Sequence, residues 1–356
     1  MALKIVVYAI AKNESQFVRR FCDAAKDADM IFVADTGSTD DTVSLLEECG
    51  AHVAHISIKP WRFDDARNAA LALLPDEFDV CVSLDLDEVL QPGWREEIER
   101  VWTTGTTRLR YGFDWGCGIV FQYEKIHSRW GYRWHHPLHE YPVADRIEEV
   151  WANTDQLLVV HQPDPTKSRG QYLDILRVSI EEDPFCPRNA FYYARELSFH
   201  GHWREAITQA ERYLALPRAT WPNERCYALR VIGRCYQELG EPENAVKSFR
   251  LACAEAPYTR EPWHELAKQC YLMSRWPECL GAALTCLSIT HRDKVYTVDP
   301  SVWGAPAHDW ASIAAWNLKL YALAYEHALL AVEKDPNDFR LRQNLAFCEQ
   351  KIKEAA

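Results

Sequence analysis

A 34-residue period in the second half of the chain limits its possible folds most sharply. Gly233, Tyr236, Ala245, Phe249, Ala252 and Pro257 set a spacing. Shifted by 34 residues, Trp263, Leu266, Ala267, Cys270, Cys279, Ala283 and Cys286 fill equivalent places. An earlier copy runs through Ala194, Leu197, Ala206, Ala210 and Tyr213, and a later one through Ser312, Ala315, Ala324, Ala328, Ala331 and Pro336. Small residues let two helices approach and larger ones fill the seam; one such unit cannot bury its apolar face alone, so the copies must stack. This predicts an all-α array over residues 187–356, closed by a helix at Phe339–Lys353. His291–Pro306, with Pro300, Gly304 and Pro306, interrupts the array and reads as a loop.

The first half alternates differently. Leu3–Ile10, Met30–Ala34, Ala51–Ile58 and Phe78–Leu84 are apolar runs of strand length. Ser15–Ala28, Thr39–Cys49 and Phe63–Leu74 between them have helical spacing. Strands alternating with helices predict βαβ units and a mostly parallel sheet, in which ligands bind beyond the carboxyl ends of the strands. A length of 356 residues suits two domains. The expected division is 1–165, a linker helix over 166–186, and 187–356. No run of apolar residues is long enough to span a membrane, which excludes synthases that extrude product through their own helices. The start of the chain reads as a buried strand, without the small-residue cleavage site of a signal peptide. Twelve cysteines with no CxxC pair read as reduced, buried thiols, so a cytoplasmic protein is expected.

The net charge of −12 lies entirely before residue 187. That disfavours wrapping a polyanion and suits a pocket that collects a divalent cation. The sharpest acidic feature is Ser83-Leu84-Asp85-Leu86-Asp87-Glu88, directly after the fourth apolar run. Two carboxylates spaced i, i+2 at a strand end can reach one Mg²⁺ or Mn²⁺ if the chain turns there, and such an ion can neutralise a diphosphate leaving group. Asp35-Thr36-Gly37-Ser38-Thr39-Asp40 follows the second run and opens a helix, and Asp35 suits hydrogen bonding to a nucleobase or ribose.

Lys12-Asn13-Glu14, Asp35-Thr36-Gly37-Ser38-Thr39-Asp40, Phe63-Asp64-Asp65-Ala66-Arg67-Asn68 and Asp85-Leu86-Asp87-Glu88 occur in that order. Together they resemble the nucleotide-sugar-binding half of a family 2 glycosyltransferase of the GT-A, Rossmann-like fold, over roughly residues 3–165. The second half resembles tetratricopeptide repeats, as in a soluble bacterial and phage branch where such repeats follow the transferase. The resemblance implies that the backbone around Ala9 and Ile10, with Glu14 and Asp35, holds base and ribose. Arg67 would pair with the acidic loops or the diphosphate, Asp85 would meet ribose and metal, and Asp87 the metal. His161, ending the apolar run Leu157–Val160, looks like the histidine that completes the metal site. Glu140 stands at the place of the general base, with His139 as substitute. Thr36 departs from the family's DDGS pattern by removing one carboxylate near the base.

The expected activity is metal-dependent, inverting transfer of a sugar from a nucleotide diphosphate donor, UDP-linked by preference, with Mn²⁺ or Mg²⁺. The acceptor is macromolecular, protein or peptide first and glycan second, recognised by the groove of the repeats. Modified bases in phage DNA are a further alternative: Arg108, Arg110, Lys125, Arg129 and Arg133 form a basic strip against Asp114 and Glu124. That strip could equally meet the donor phosphates, Arg129 or Arg133 taking the released charge. A non-catalytic, peptide-binding scaffold with a degenerate transferase domain is the reading from another class; Asp85, Asp87, Glu140 and His161 occurring together argue against it. A zinc cluster of His135, His136 and His139 lacks cysteine partners at finger spacing. A nucleotidyltransferase would need a Gly-rich basic loop after the first strand, which is missing. Trp61, Trp115, Trp130 and Trp134 are candidates for stacking on sugar or base.

Overall fold

The structure is a computed structural model that describes residues 3–164 and 170–355. It divides into two compact units, 1–182 with 294–296, and 183–293 with 297–356. The linker helix expected over 166–186 begins outside the described residues; within that span Tyr172–Glu182 is helical (α5) and belongs to the first unit.

The first unit is built on an eight-stranded mixed sheet in the order β3-β2-β1-β4-β7-β6-β10-β5. β1 (Ile5–Ala11), β2 (Met30–Asp35), β3 (His52–His55) and β4 (Val80–Ser83) are parallel. β7 (Ile119–Ser128) runs against β4 and β6 (Arg108–Gly116), while β10 (Trp151–His161) is parallel to β6 and antiparallel to β5 (Glu88–Leu90). β1 shows why the sheet is buried on both faces. Ile5, Val7, Ala9 and Ala11 pack with α1 (Ser15–Ala25), α2 (Thr42–Glu48) and α4 (Trp94–Val101), while Val6 and Tyr8 pack on the other face with Ala70 and Leu71 of α3 (Phe63–Ala72). A strand covered on both sides reads as a continuous apolar run, as this one does. A separate hairpin, β8 (Tyr132–His135) with β9 (Tyr141–Ala144), lies against α3.

The second unit is an array of antiparallel helix pairs: α6 (Pro187–Phe199) with α7 (Trp203–Ala215), α8 (Pro222–Glu238) with α9 (Pro242–Glu255), α10 (Arg260–Leu272) with α11 (Trp276–Ser288), and α12 (Pro306–Asn317) with α13 (Tyr321–Lys334). α14 (Phe339–Ala355) follows. The residues of the 34-residue period are its seam: Ala245, Phe249, Ala267, Cys270, Cys279, Ala283, Ala315, Ala324 and Ala328 share one apolar core. A Cβ on Gly233 would overlap the Phe249 ring, so α8 and α9 approach as closely as they do only with glycine there. The expected fold class, an α/β domain followed by a helical array, is the one observed.

Candidate functional site

The acidic motif after β4 owes its geometry to two leucines. Leu84 and Leu86 are buried and anchor the segment to the core, leaving Asp85 and Asp87 partly exposed. Glu88 N donates to Asp85 O at 2.9 Å and closes a turn; Asp85 N donates to Glu88 Oε2 at 3.0 Å. The chain then enters β5, where Glu88 lies opposite His161 at the end of β10. Gln162 N donates to Asp87 O at 2.8 Å, holding the two segments together. This register sets Asp87 Oδ2 3.4 Å from His161 Nε2. The other ring nitrogen, Nδ1, is buried and has no hydrogen-bond partner among the described residues. Trp115, at the end of β6, stacks on the same imidazole at 4.4 Å between ring centres.

Asp85 is committed elsewhere. Arg67 of α3, 3% exposed, donates from Nη2 to Asp85 Oδ1 at 2.5 Å and from Nε to Glu140 Oε1 at 2.5 Å. Lys125 of β7, also buried, donates to Asp85 Oδ2 at 3.2 Å and to Glu88 Oε1 at 2.9 Å. Burial alone would push the Asp85 carboxyl up, but Arg67 and Lys125 outweigh it and hold it well below the usual carboxylate range. Burial also opposes the charge on Lys125, and Asp85 and Glu88 restore it. Glu88 is pushed up by its own burial and by the neighbouring Asp85 charge, against the pull of Lys125. Lys125 is the member of this cluster that sequence reasoning missed. It stood in the basic strip, and its acidic partners lie 40 and 37 positions away.

Glu140 reaches Arg67 because Asn68 clamps the β8–β9 hairpin to α3: Asn68 Nδ2 donates to Trp134 O and Trp134 N to Asn68 Oδ1, both at 2.9 Å. His139, just before it, has φ +54°, and its ring faces Tyr172 at 6.4 Å. Among the described residues no three His, Cys, Asp or Glu side chains are grouped to hold a metal ion, so Asp85, Asp87 and His161 do not form a closed set, nor do His135, His136 and His139.

The expected base and ribose side is also formed at strand ends. β1 pairs with β2 as far as Ala11, but its pairing with β4 stops at Tyr8, so Ala9 and Ile10 have no strand partner on that edge. Asp35, at the end of β2, accepts from Gly37 N at 3.0 Å and Ser38 N at 3.2 Å, and His55 Nδ1 stands 3.4 Å away. Burial opposes this charge, yet the donors of Ser38, Gly37 and His55 together hold the carboxyl below its ordinary value. Asn13 N donates to Ser38 Oγ at 2.9 Å and Glu14 N to Thr42 Oγ1 at 2.7 Å, tying the loop after β1 to the loop after β2 and to the start of α2.

Several expectations change. Arg129 is buried, donating to Leu74 O at 2.6 Å and Pro75 O at 3.0 Å, and so cannot meet a diphosphate; Arg133 is exposed. Arg108 and Lys125 are buried too, which breaks up the basic strip. Trp134, 1% exposed, belongs to the core and donates to Tyr8 OH, whereas Trp115 and Trp130 are 45% and 60% exposed.

An α/β unit with an acidic motif at a strand end precedes a helical repeat array; sheets of this kind bind ligands beyond the carboxyl ends of their strands. Residues 6–142 match the profile of Glycosyl transferase family 2. An uncharacterized glycosyltransferase of Rickettsia conorii is 35% identical over 103 residues, 28% of this chain and 35% of that protein. One from Rickettsia felis is 32% identical over the same length and shares. The chain thus spans about a third of the length of these curated relatives. Among solved structures, the protein titled MamA aligns at 15% identity and TM-score 0.38, covering 46% of this chain and 81% of that one. YrrB, described as a TPR protein with an unusual peptide-binding site, aligns at 14% identity and TM-score 0.41, covering 50% of this chain and 84% of that one.

Proposed function

We propose that this protein is a metal-dependent, inverting glycosyltransferase that moves a sugar from a nucleotide diphosphate donor, a UDP-sugar by preference, to a macromolecular acceptor. The observation that carries the reading is the pair Asp87–His161, 3.4 Å apart on segments far apart in sequence, beside an ionised Asp85. That separation is close to the roughly 3 Å between neighbouring ligands of one hard cation with bonds near 2.1 Å. A carboxylate, an imidazole and donor phosphate oxygens suit Mn²⁺ or Mg²⁺. The residues present therefore fit the ion that the fold family implies, with Asp87 and His161 as its protein ligands. Bound there, the ion supplies charge neutralisation for the diphosphate as it leaves.

The remaining roles fall to this chain's own groups. Each Asp85 oxygen accepts one bond from Arg67 or Lys125 and keeps a second lone pair for a ribose hydroxyl. Asp35, Glu14 and the edge at Ala9 and Ile10 line the base side. Glu140, oriented through one oxygen by Arg67, takes the proton of the attacking acceptor group. With a base in place and no second carboxylate assigned as nucleophile, transfer is a single displacement with inversion. The helical array recognises the acceptor, a polypeptide before a glycan; the broken basic strip disfavours DNA.

The test is thermal unfolding with a panel of nucleotides and nucleotide sugars, with and without Mn²⁺. A donor at 100 times its Kd stabilises by about 2.7 kcal/mol through mass action. The expected result is a rise with a uridine nucleotide that needs Mn²⁺, is lost in Asp87→Ala, and persists in Glu140→Gln while transfer is lost. No rise with any nucleotide in folded protein overturns the reading.

A further inference from the structure

One face of the sheet continues past the core that it buries. Tyr111 and Phe113 of β6 belong to that core, and so do Leu157 and Val159 of β10. Side chains alternate along a strand, so Trp115 and His161 are the next residues on the same face. β10 runs parallel to β6 with Val159 opposite Phe113 and Val160 opposite Asp114, which makes Trp115 and His161 neighbours one step further on. There the sheet runs out. β6 turns back into β7 through Gly116, Cys117 and Gly118, with φ of +93°, +52° and +79°. Gly116 N donates to Asp114 Oδ1 at 2.8 Å and fixes the strand end that carries Trp115. The indole stacks on the imidazole with planes 30° apart, and the Phe113 ring lies 6.1 Å from the same imidazole.

His161 lacks the anchor that a ligating histidine ordinarily has. Such a residue binds through one ring nitrogen and almost always donates the other N–H to a carboxylate or carbonyl, which fixes the ring about its bond to Cβ. Nε2 of His161 faces Asp87, while Nδ1 is buried with no hydrogen-bond partner among the described residues. The torsion about that bond has broad intrinsic minima. With no hydrogen bond at Nδ1, the orientation of the ring depends on what packs against its face. The indole of Trp115 is the ring stacked there. Turning the imidazole out of the stack would swing Nε2 away from Asp87. Trp115 itself stays half in water, so burial of its own surface does not account for its place.

We propose that Trp115 is a positioning residue for the candidate metal site: its indole, stacked on His161, takes the place of the missing hydrogen bond and holds Nε2 toward the ion shared with Asp87. The inference rests on the reading of Asp87 and His161 as ligands of a divalent cation, and it adds a consequence to that reading. A residue outside the ligand set, at the tip of the β6–β7 hairpin, governs how tightly the ion is held and whether the imidazole takes part in holding it.

The experiment uses the full chain with Mn²⁺ and UDP, without sugar donor or acceptor, so that no turnover enters. The fall of the free Mn²⁺ signal in electron paramagnetic resonance gives the affinity, and pulsed measurement of the bound ion detects a coordinated imidazole nitrogen. The unaltered chain should show that nitrogen, and His161→Ala should not. Trp115→Ala should bind Mn²⁺ about tenfold more weakly and lose most of the nitrogen signal. Trp115→Phe, which keeps a ring to stack, should restore both. Unchanged affinity and signal in Trp115→Ala overturn the proposal. So does weaker binding with the full nitrogen signal, because Trp115 then acts on something other than His161. Should Trp115→Ala fail to fold, Trp115→Leu takes its place, since it keeps bulk without a ring; equal behaviour of the Leu and Phe variants overturns the proposal. A failure of the metal reading shows already in the unaltered chain, as no bound Mn²⁺ or no nitrogen on it, and overturns both. A failure of this inference alone shows only in the Trp115 variants.

Discussion

Two cations and three carboxylates are locked together inside the first unit, and the balance among them decides what Asp85 can do. Arg67 and Lys125 keep it ionised, and Lys125 also faces Glu88. Removing Lys125 leaves Glu88 as a buried carboxylate with no cation bonded to it. Breaking one side of such a pair costs about 3–5 kcal/mol. Glu88 has an escape, because burial and the Asp85 charge already push its carboxyl up. In Lys125→Met, folding would favour the protonated form, so stability is greatest at low pH and falls as pH rises through the raised folded value. Urea unfolding of Lys125→Met should therefore show a larger deficit against the unaltered chain at pH 8 than at pH 5. A deficit independent of pH would mean that Lys125 acts by packing alone. Asp85, Asp87, Glu140 and His161 were legible because each ends or follows an apolar run or a recognisable motif. Lys125 was not, because its meaning lies in partners on other strands.

A chain of hydrogen bonds ties three elements of the first unit. Trp134 Nε1 of β8 donates to Tyr8 OH of β1 at 2.9 Å, and Tyr8 OH pairs with His127 Nε2 of β7 at 2.9 Å. His127 Nδ1 lies 2.8 Å from Ser128 O, which can only accept. The network thus assigns the neutral tautomer with the proton on Nδ1, leaving Nε2 to accept from Tyr8. Burial lowers His127 to about 4, and the Ser128 carbonyl only partly offsets it. Between that value and the ordinary one near 6.5 the unfolded chain binds the proton and the folded chain does not, so stability falls as pH falls through this window. The loss comes to about 3 kcal/mol by pH 4. His127→Phe should cost about 1–3 kcal/mol at pH 7 by leaving the Tyr8 hydroxyl without its acceptor. Its deficit should shrink, and can reverse, as pH drops from 7 to 4.5. Parallel unfolding curves for both proteins across that range would reject the tautomer assignment. The elements themselves were readable where burial is two-sided, as in β1. They were misjudged where polar residues serve the fold. The helix expected from Thr39 starts at Thr42, because Thr39 N is taken by Asn13 Oδ1 and Asp40 accepts from Thr42 N. β10 extends back to Trp151, beyond the expected Leu157, through polar residues Asn153–Gln156 at a shift in register.

At the scale of the molecule, the sequence carried the two architectures, since each has its own period, but not the places of Asp293, Thr297 and Asp299 between α11 and α12, which are set by single long-range polar contacts. No helix among the described residues is long and apolar enough to cross a membrane. The thiols give a reading of the whole packed chain at once. All twelve cysteines are free, nine are buried, Cys49 and Cys186 are half-buried, and Cys117 is exposed on the loop between β6 and β7. Burial pushes Cys81, Cys270, Cys279 and Cys286 up to about 12. The thiolate is the reactive form, so these groups are protected both by access and by charge. An aromatic disulfide reagent at pH 7.5 should modify one thiol quickly, two slowly and the rest only as the chain unfolds, with all twelve reacting in guanidinium. Cys117→Ser should remove the fast phase and leave the others unchanged. Cysteines 226, 235, 253, 270, 279, 286 and 348 report on the helical array, and Cys22 and Cys81 on the sheet unit. Rapid reaction of the first group with the second still protected would show that the helix pairs open on their own, while the sheet that carries the acidic motif stays closed.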